Sequence, residues 1–336
     1  VLDQSTRRNL IKISSEITAS SYDETKEGRS ILDDAEQKIL KLTDINQSAQ
    51  VLAMKDVVPK VIQIIDTRYK NKNAFSGIPS GLNDLDSMTS GFQNSEMIII
   101  GARPSMGKTA LALSMMQNIA IDRGIPCGFF SLEMSADQIA QRLLSQIARI
   151  PGTKLRNGML KIEDFKKLQD AAGECFNAPL YIVDTPNMKL LDLRAMARRM
   201  KVNQKVQIIF IDYIGLITSE NPDAQLFEQQ SAISKSLKSL ARELEIPIVV
   251  LCQVARAAEG EEPNLAQLRG SGSIEQDADM VMFIHGKRSD NKETNEGYNP
   301  VQERKLIVAK QRNGPIGDVD VIFLSSYTKF ENKSKE

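Results

Sequence analysis

Residues 97–109 read Met-Ile-Ile-Ile-Gly-Ala-Arg-Pro-Ser-Met-Gly-Lys-Thr, an apolar run followed by a loop that ends in Gly-Lys-Thr. The apolar run predicts a buried strand, and the periodicity after Lys108 predicts a helix. Strand, loop and helix in this order form a P-loop, in which backbone N–H groups and the positive end of the helix dipole bind phosphate. Ala102 stands where the strict pattern has glycine, and the commoner form of the pattern allows it. The stretch therefore predicts a protein that binds and hydrolyses a nucleoside triphosphate.

The P-loop pattern also predicts individual contacts. Lys108 is expected to neutralise the β- and γ-phosphates, and Thr109 is expected to hold Mg²⁺. The predicted nucleotide-binding residues are Arg103, Pro104, Ser105, Met106, Gly107, Lys108, Thr109 and Ala110.

Short apolar runs alternate with stretches of helical periodicity beyond the P-loop. The predicted strands are 97–100, 127–131, 180–183, 206–211 and 248–251, and the predicted helices are 108–122, 136–148, 191–201 and 226–244. Strands buried on both faces and alternating with helices indicate an α/β fold, with a mostly parallel central sheet flanked by helices. Three further apolar runs lie at 280–285, 304–309 and 319–324, and a turn at 313–317 separates the last two. They predict an antiparallel C-terminal extension.

The first part of the chain has a different pattern. Residues 2–72 show helical spacing of apolar positions, and 54–65 carry an apolar stripe that must dock either on this domain or on a neighbouring subunit. Residues 71–91 are rich in Asn, Ser, Gly and Pro and predict a linker with turns. The chain is therefore expected to have a small helical part before the α/β domain.

Polar side chains follow three of the predicted strands, where the carboxyl edge of a parallel sheet gathers functional groups. Asp212 is expected to be the carboxylate that holds Mg²⁺ beside the P-loop. Glu133 is the candidate general base, although a glutamate favoured by the dipole of the next helix is the alternative. Gln253 is a candidate sensor of the γ-phosphate, with an ordinary polar loop residue as the alternative.

Composition excludes several classes of protein. Lys plus Arg and Asp plus Glu each total 43, so net charge gives no sign of a nucleic-acid partner. The 3 cysteines show no metal-ligand spacing, and no apolar run is long enough to cross a bilayer, so no membrane association is expected. Without a signal peptide the expected location is the cytoplasm. The first residue, Val1, leads us to expect that an N-terminal part is missing, and a basic cluster around Arg198 is interpreted as a solvated helix face rather than a nucleic-acid patch.

Five segments together resemble one family, the DnaB-type replicative DNA helicases of bacteria, over nearly the whole chain. The segments are Ala102-Arg-Pro-Ser-Met-Gly-Lys-Thr109, Ser131-Leu-Glu-Met-Ser135, Ile211-Asp-Tyr213, Gly270-Ser-Gly-Ser-Ile-Glu-Gln-Asp-Ala-Asp279 and Lys310-Gln-Arg-Asn-Gly-Pro-Ile-Gly317. The last two are far more specific than any P-loop.

The resemblance implies a RecA-like motor that assembles into a homo-hexameric ring and hydrolyses ATP with Mg²⁺. Such a ring encircles single-stranded DNA, moves 5′ to 3′ and unwinds forked duplex. It also implies a primase, a helicase loader and replicative polymerase subunits as partners. The implied organisation is a helical remnant of an N-terminal domain at 1–50, which lacks its globular start, a linker helix at 51–75 that docks on the adjacent subunit, and the motor domain at 76–336.

The resemblance also assigns roles to residues. The family's pattern supports the roles given above to Lys108, Thr109, Glu133, Asp212 and Gln253. It makes Lys310 and Arg312 a basic pair inserted into the neighbouring subunit's site, where an arginine finger stabilises transition-state charge. A basic strand end in solvent is the alternative, but two cations beside a turn have no obvious use in a monomer.

The DNA-binding loop is a further implication of the resemblance. Arg269, Gly270 and Gly272 match the loop that lines the channel of the family's rings, where glycines let backbone N–H groups approach phosphates. Gly270 stands where the family commonly has an acidic residue.

Two other functions compete with a helicase. A RecA-like recombination ATPase would share the P-loop, the glutamate and the aspartate, but it would not explain the two C-terminal segments. A module that uses ATP only to hold a partner would not need a complete hydrolytic set. A ring-forming replicative helicase is therefore the leading hypothesis.

Overall fold

The computed structural model describes residues 2–23, 53–70, 75–221, 223–254, 262–268, 271–286 and 300–334, with short pieces at 28, 31–32, 34–35 and 38–39. The chain divides into two compact units, Val1–Ala74 and Phe75–Glu336. None of the described helices is both long enough and apolar enough to cross a membrane.

The first unit is helical wherever it is described, as predicted. Helix α1 spans Leu2–Ser21 and helix α2 spans Met54–Lys70. The apolar stripe of α2 faces outward within this unit, and the side chains of Met54, Val58 and Ile62 are 71%, 43% and 60% exposed. An apolar stripe left open in one chain is expected to be covered by something else.

The second unit contains a sheet of nine strands, counted over the described residues. The strands are β1 (Met97–Ala102), β2 (Cys127–Ser131), β3 (Leu180–Val183), β4 (Ile208–Asp212), β5 (Ile248–Gln253), β6 (Met280–His285), β7 (Val301–Gln311), β8 (Gly317–Leu324) and β9 (Lys329–Asn332). Their order across the sheet is β3-β2-β4-β5-β1-β6-β7-β8-β9. The six strands from β3 to β6 run parallel, and β7, β8 and β9 add antiparallel pairs, which confirms the predicted fold class.

Helices cover both faces of this sheet. They are α3 (Asn83–Thr89), α4 (Lys108–Met116), α5 (Ala136–Ala148), α6 (Gly152–Asn157), α7 (Ile162–Asn177), α8 (Leu190–Asn203), α9 (Leu226–Leu244) and α10 (Ser271–Asp277). Two separate apolar clusters lie against the central strands, one containing Leu111 of α4 and the other containing Leu237 of α9. Five parallel strands are therefore buried on both sides, as their nearly continuous apolar sequences require, whereas β3 at the edge of the sheet is only half-buried.

Three sequence-based predictions differ from the structure. The predicted linker at 71–91 contains helix α3, whose Leu85 is fully buried, because its short apolar face docks on the sheet despite the turn-forming composition. The predicted helix 108–122 is α-helical only to Met116 and continues as a π-helix over Gln117–Asp122. Strand β9 was not predicted, since a single run of four residues has too little periodicity to detect.

Two arginines of the basic cluster on α8 belong neither to a free nucleic-acid patch nor to a solvated helix face. Arg194 and Arg198 both bind Glu243 of α9, and the three side chains are only about one fifth exposed. Burial alone would raise the pKa of Glu243, but the hydrogen bonds and charges of the two arginines outweigh it and lower that pKa. These two ion pairs link α8 to α9.

Replacing Glu243 by Gln is therefore expected to lower the free energy of unfolding at pH 7 by about 1–3 kcal/mol, because two partly buried cations lose their anion. The pKa of Glu243 is lowered in the fold, so its stabilisation is present above the ordinary carboxyl pKa of about 4.3 and disappears as the pH falls through the lowered value. Thermal unfolding at pH 7 and in acid checks this: the gap between wild type and Glu243→Gln should narrow in acid. Glu174→Gln, at an exposed site on α7, is the matched control and should show no gap.

Candidate nucleotide site and its relatives

The P-loop joins β1 to α4 at the carboxyl edge of the parallel strands. Gly107 precedes the helix with φ = 94°, a left-handed conformation that favours glycine, and a Cβ there would lie 2.9 Å from the ring of Phe330. Met106 and Ala110 are buried, so only their backbones can face a ligand. Pro104 has no N–H to donate and contributes only the shape of the loop.

Lys108 and Thr109 both reach Asp212 at the end of β4. The Lys108 Nζ lies 3.0 Å from the Asp212 Oδ1 and 4.2 Å from the centre of the Tyr213 ring. The Thr109 hydroxyl donates to the Asp212 Oδ2 over 2.6 Å. The structure thus brings together the cation, the hydroxyl and the carboxylate that the sequence placed on separate segments.

Glu133 and Gln253 follow the neighbouring strands at the same edge. Ser131 pairs with Asp212 between β2 and β4, and the Leu132 N–H donates to the Asp212 carbonyl, so Glu133 comes directly after this contact. Gln253 pairs with Ala102, the last residue before the P-loop turn. Four adjacent strands, β2, β4, β5 and β1, therefore deliver the predicted groups side by side.

The local structure also bears on the alternative for Glu133. Helix α5 begins at Ala136, and Ser135 caps it through a hydrogen bond from the Gln138 N–H. Glu133 precedes the cap and is exposed, outside the first turn where a helix dipole acts most strongly. Its position suits a group aimed at a ligand better than one that stabilises the helix.

Arg142 of α5 is a further candidate site residue, which sequence analysis missed. Burial lowers the pKa of its guanidinium, while the negative charges of Asp212 and Glu133 act in the opposite direction and favour the protonated form. Arg142 follows the fully buried Ile139 by three residues and so lies on the core-facing side of the helix. An arginine at such a position is unusual, and that was the signal in the sequence.

The oxygen ligands suit a magnesium ion. Magnesium prefers oxygen ligands and is held in P-loop proteins by a hydroxyl, a carboxylate and the nucleotide phosphates. The Thr109 hydroxyl and the nearly fully buried Asp212 carboxylate supply the protein's share of such a set. The residues present therefore fit the ion.

Lys310 and Arg312 lie at the opposite edge of the sheet. The C-terminal end of β7 pairs with Met280, the first residue of β6. Since β6 runs parallel to β1, this end of β7 lies at the amino edge, whereas the P-loop follows Ala102 at the carboxyl edge. The length of β1 separates the two edges by about 17 Å along the strands, at roughly 3.3 Å per residue.

Both cations have partners within their own chain. The Lys310 Nζ donates to carbonyl oxygens at the end of α10, and burial together with the charge of Arg312 lowers its pKa. Arg312 approaches the Asp279 carboxylate at 3.3 Å. The expectation that these cations have no use in a monomer is therefore wrong, and their role in a neighbouring site stays a prediction.

The predicted DNA loop is described only in part. Arg269 and Gly270 lie outside the described residues. Gly272 is exposed on α10, and Leu268 forms a bridge with Val254, the residue after β5. Leu268, the residue before the predicted loop, thus lies beside the end of the strand that carries Gln253.

Comparison with known proteins decides the family. The family model described as "DnaB-like helicase C terminal domain" matches residues 77–332. The chain belongs to the DnaB-like helicase family. It is an ATP-dependent DNA helicase of the replicative class, with a RecA-like fold.

Relatives of this DnaB-like helicase match almost its entire length. The replicative DNA helicase DnaB of Treponema pallidum is 53% identical over 99% of this chain and 74% of the relative. The replicative DNA helicase DnaB of Geobacillus stearothermophilus is 40% identical over 99% of this chain and 73% of the relative. The resemblance drawn from five motifs is thereby confirmed.

Solved structures agree with this assignment. A structure described as a DnaB-like replicative helicase and its interactions with primase superposes with a TM-score of 0.82 and 29% identity, covering 99% of this chain and 77% of the other. A second solved structure, described as an ATPase domain, gives a TM-score of 0.74 and 31% identity, covering 82% of this chain and 99% of the other. The DnaB-like helicase thus shares its fold with a domain named for its use of ATP.

Proposed function

We propose that this helicase assembles head to tail into a hexameric ring, encircles single-stranded DNA and moves 5′ to 3′ by hydrolysing ATP with Mg²⁺. The observation that carries the ring is the placement of Lys108 and Arg312 at opposite edges of one sheet. A rigid sheet cannot fold back to bring these groups together, but a second copy in the same orientation can present its amino edge to the first copy's carboxyl edge. Each complete site then needs two subunits.

We assign the phosphate-binding half of the site to the P-loop subunit. Backbone N–H groups of Arg103 and of residues 105–110 surround the β-phosphate, and Lys108 exchanges its contact with Asp212 for the phosphate oxygens. Bound Mg²⁺ would neutralise charge on the β- and γ-phosphates and would be held by Thr109 and Asp212. Lys108 and the loop therefore orient the γ-phosphate for attack.

We assign the hydrolytic step to the side chains around that phosphate. The Glu133 carboxylate accepts a proton from the attacking water, and its exposed position leaves room for that water. The Gln253 amide contacts the γ-phosphate, and Arg142 keeps positive charge beside Glu133 and Asp212. The neighbour's Lys310 and Arg312 stabilise the charge that develops on the transferred oxygens.

Exposed apolar side chains are consistent with assembly. On α2 the side chains of Val61 and Ile65 are 45% and 58% exposed, and on α7 those of Ile162 and Phe165 are 90% and 55% exposed. Apolar surfaces of this kind mark contacts between proteins. We propose that the ring covers them, with α2 as the linker helix that docks on the adjacent subunit.

The remaining assignments follow from the family resemblance. We propose that Arg269, Gly270 and Gly272 contact DNA phosphates without reading sequence, because a motor must pass every base. The structure with a TM-score of 0.82 is described together with primase, which supports primase as a partner of this helicase. We also propose a helicase loader and replicative polymerase subunits as partners, and the cytoplasm as the location.

Unwinding of forked duplexes tests the proposal. We expect strand displacement with ATP from a fork whose single-stranded loading tail is 5′, and none from a matched fork whose tail is 3′. Closed six-fold particles should be visible by negative-stain microscopy of the same samples. Unwinding from the 3′ tail would contradict the direction of movement, and continuous filaments would favour a recombination ATPase.

A further inference from the structure

The C-terminal end of α10 holds the finger pair, Lys310 and Arg312. The Lys310 Nζ donates to the carbonyl oxygens of Glu275, Gln276 and Ala278, the last at 2.8 Å. The Arg312 guanidinium donates to the Gln276 carbonyl. Helix carbonyls at a C-terminus carry partial negative charge, so this end of α10 is a natural seat for cations.

Asp279 contacts Arg312 of this pair in two ways. The Arg312 N–H donates to the Asp279 carbonyl over 2.8 Å, and the Arg312 Nη1 lies 3.3 Å from the Asp279 Oδ1. Asp279 thus accepts hydrogen bonds from Arg312 both at its backbone carbonyl and at its side-chain carboxylate. Among the described hydrogen bonds and ion pairs, Arg312 is the member of the finger pair that reaches this carboxylate.

The other carboxylate oxygen fixes Asp279 itself. Its Oδ2 accepts from the Met97 N–H over 2.8 Å and from the Lys238 Nζ over 2.6 Å. The Asp279 side chain is 7% exposed, whereas that of Arg312 is 46% exposed. One end of the contact is therefore rooted in the first residue of β1, and the other end reaches solvent.

The turn after Arg312 is anchored in a similar way. The Asn313 side-chain amide donates to the Glu96 carboxylate over 2.8 Å, and Glu96 immediately precedes β1. The base of the finger is thus tied to the sheet on both sides of Arg312. A side chain whose backbone is already ordered loses less conformational entropy when it engages a phosphate.

We propose that Asp279 is a positioning residue for Arg312, and that the finger pair rests on the end of α10 before the ring forms; this inference rests on the proposed role of Lys310 and Arg312 in the neighbouring subunit's site. Asp279 keeps the Arg312 backbone and guanidinium near the amino edge, with the charged tip in reach of an adjacent phosphate. The tip exchanges the Gln276 carbonyl for phosphate oxygens as the ring forms. This role also explains the final aspartate of the 270–279 segment, to which sequence analysis gave no chemistry.

The proposal predicts that Asp279→Asn lowers the ATP turnover number of assembled rings by about 10-fold to 100-fold, since small displacements of a catalytic group have effects of this size. Nucleotide affinity measured by fluorescence titration should stay within about twofold of wild type, because Asp279 lies at the opposite edge from the P-loop. Mixing Asp279→Asn with Lys108→Ala should restore turnover, since the latter subunit supplies an intact finger to the former subunit's P-loop.

Three further variants are compared with Asp279→Asn in the same turnover assay. Glu243→Gln removes a partly buried ion pair that joins neither Asp279 nor the finger, so its rings should turn over ATP near the wild-type rate. Asp279→Glu keeps the charge but shifts it by a methylene, and it should show the same loss and the same rescue if Asp279→Asn fails to fold. Arg312→Ala in the same assay reports on the finger itself.

The outcomes separate this inference from the proposed function. Wild-type turnover in Asp279→Asn rings, an equal loss in Glu243→Gln rings, or no rescue in any mixture would overturn the positioning role. If Arg312→Ala rings also keep full turnover, the trans finger itself is wrong. If Arg312→Ala loses turnover while Asp279→Asn does not, only the inference about Asp279 fails.

Discussion

Arg312→Ala rings are expected to hydrolyse ATP about 10³-fold to 10⁵-fold more slowly than wild-type rings, the range that an arginine finger supplies to phosphoryl transfer. Nucleotide binding to an isolated subunit should be nearly unchanged, because Arg312 lies at the amino edge of the sheet and the P-loop lies at the carboxyl edge. Steady-state turnover of assembled protein and nucleotide titration of dilute protein measure the two quantities.

Mixed rings provide the control for this prediction. A Lys108→Ala subunit has an intact Arg312 but no P-loop lysine, so neither variant alone is active. Where the two variants meet in one ring, the P-loop of an Arg312→Ala subunit and the finger of a Lys108→Ala subunit form a complete site. Part of the turnover should therefore return. Failure of every mixing ratio to recover activity would remove the main support for a finger supplied in trans.

Glu133→Gln is expected to bind ATP with nearly wild-type affinity and to lose hydrolysis by about 10²-fold to 10⁴-fold, the usual contribution of a general base. Glutamine keeps the size of the side chain and its hydrogen bonding but cannot accept the proton of the attacking water. Rapid-quench measurement of hydrolysis in assembled rings, together with equilibrium binding, separates the two effects.

The matched control is Glu163→Gln, which changes an exposed glutamate in the first turn of α7. If Glu133 served only to stabilise the start of a helix, both variants would lose a few tenths of a kcal/mol, about 0.3–1, and neither would lose turnover. Normal hydrolysis by Glu133→Gln would show that Glu133 is not the general base and that another side chain at the carboxyl edge has this role.

The order of strands and helices was predictable because the central strands are apolar at nearly every position. The run 127–131 coincides with β2, since burial on both faces leaves few polar residues to interrupt the pattern. The run 180–183 coincides with β3, which is apolar although it lies at the edge of the sheet and is only half-buried. Short or mostly exposed elements gave no such signal. Helix α6 has no buried residue, so its sequence carries no apolar face to detect.

The candidate site was predictable where each group follows a strand. Asp212 and Gln253 end β4 and β5, and adjacency of those strands in the sheet brought them beside the P-loop. Arg142 escaped prediction because its importance depends on the tertiary packing of α5, and the same holds for the contacts of Arg312 with Asp279. A single sequence records which residues exist, but not which helix end a distant strand will touch.

The separation of the two half-sites on opposite sheet edges has a consequence for counting. Head-to-tail contacts use different surfaces on the two partners, so an arc of subunits always leaves one P-loop and one finger unused at its ends. If the finger acts in trans as proposed, an open arc therefore contains one active centre fewer than it has subunits, and a lone subunit contains none. Turnover per chain should consequently rise more steeply than linearly as a dilute sample is concentrated, until closure removes the idle ends.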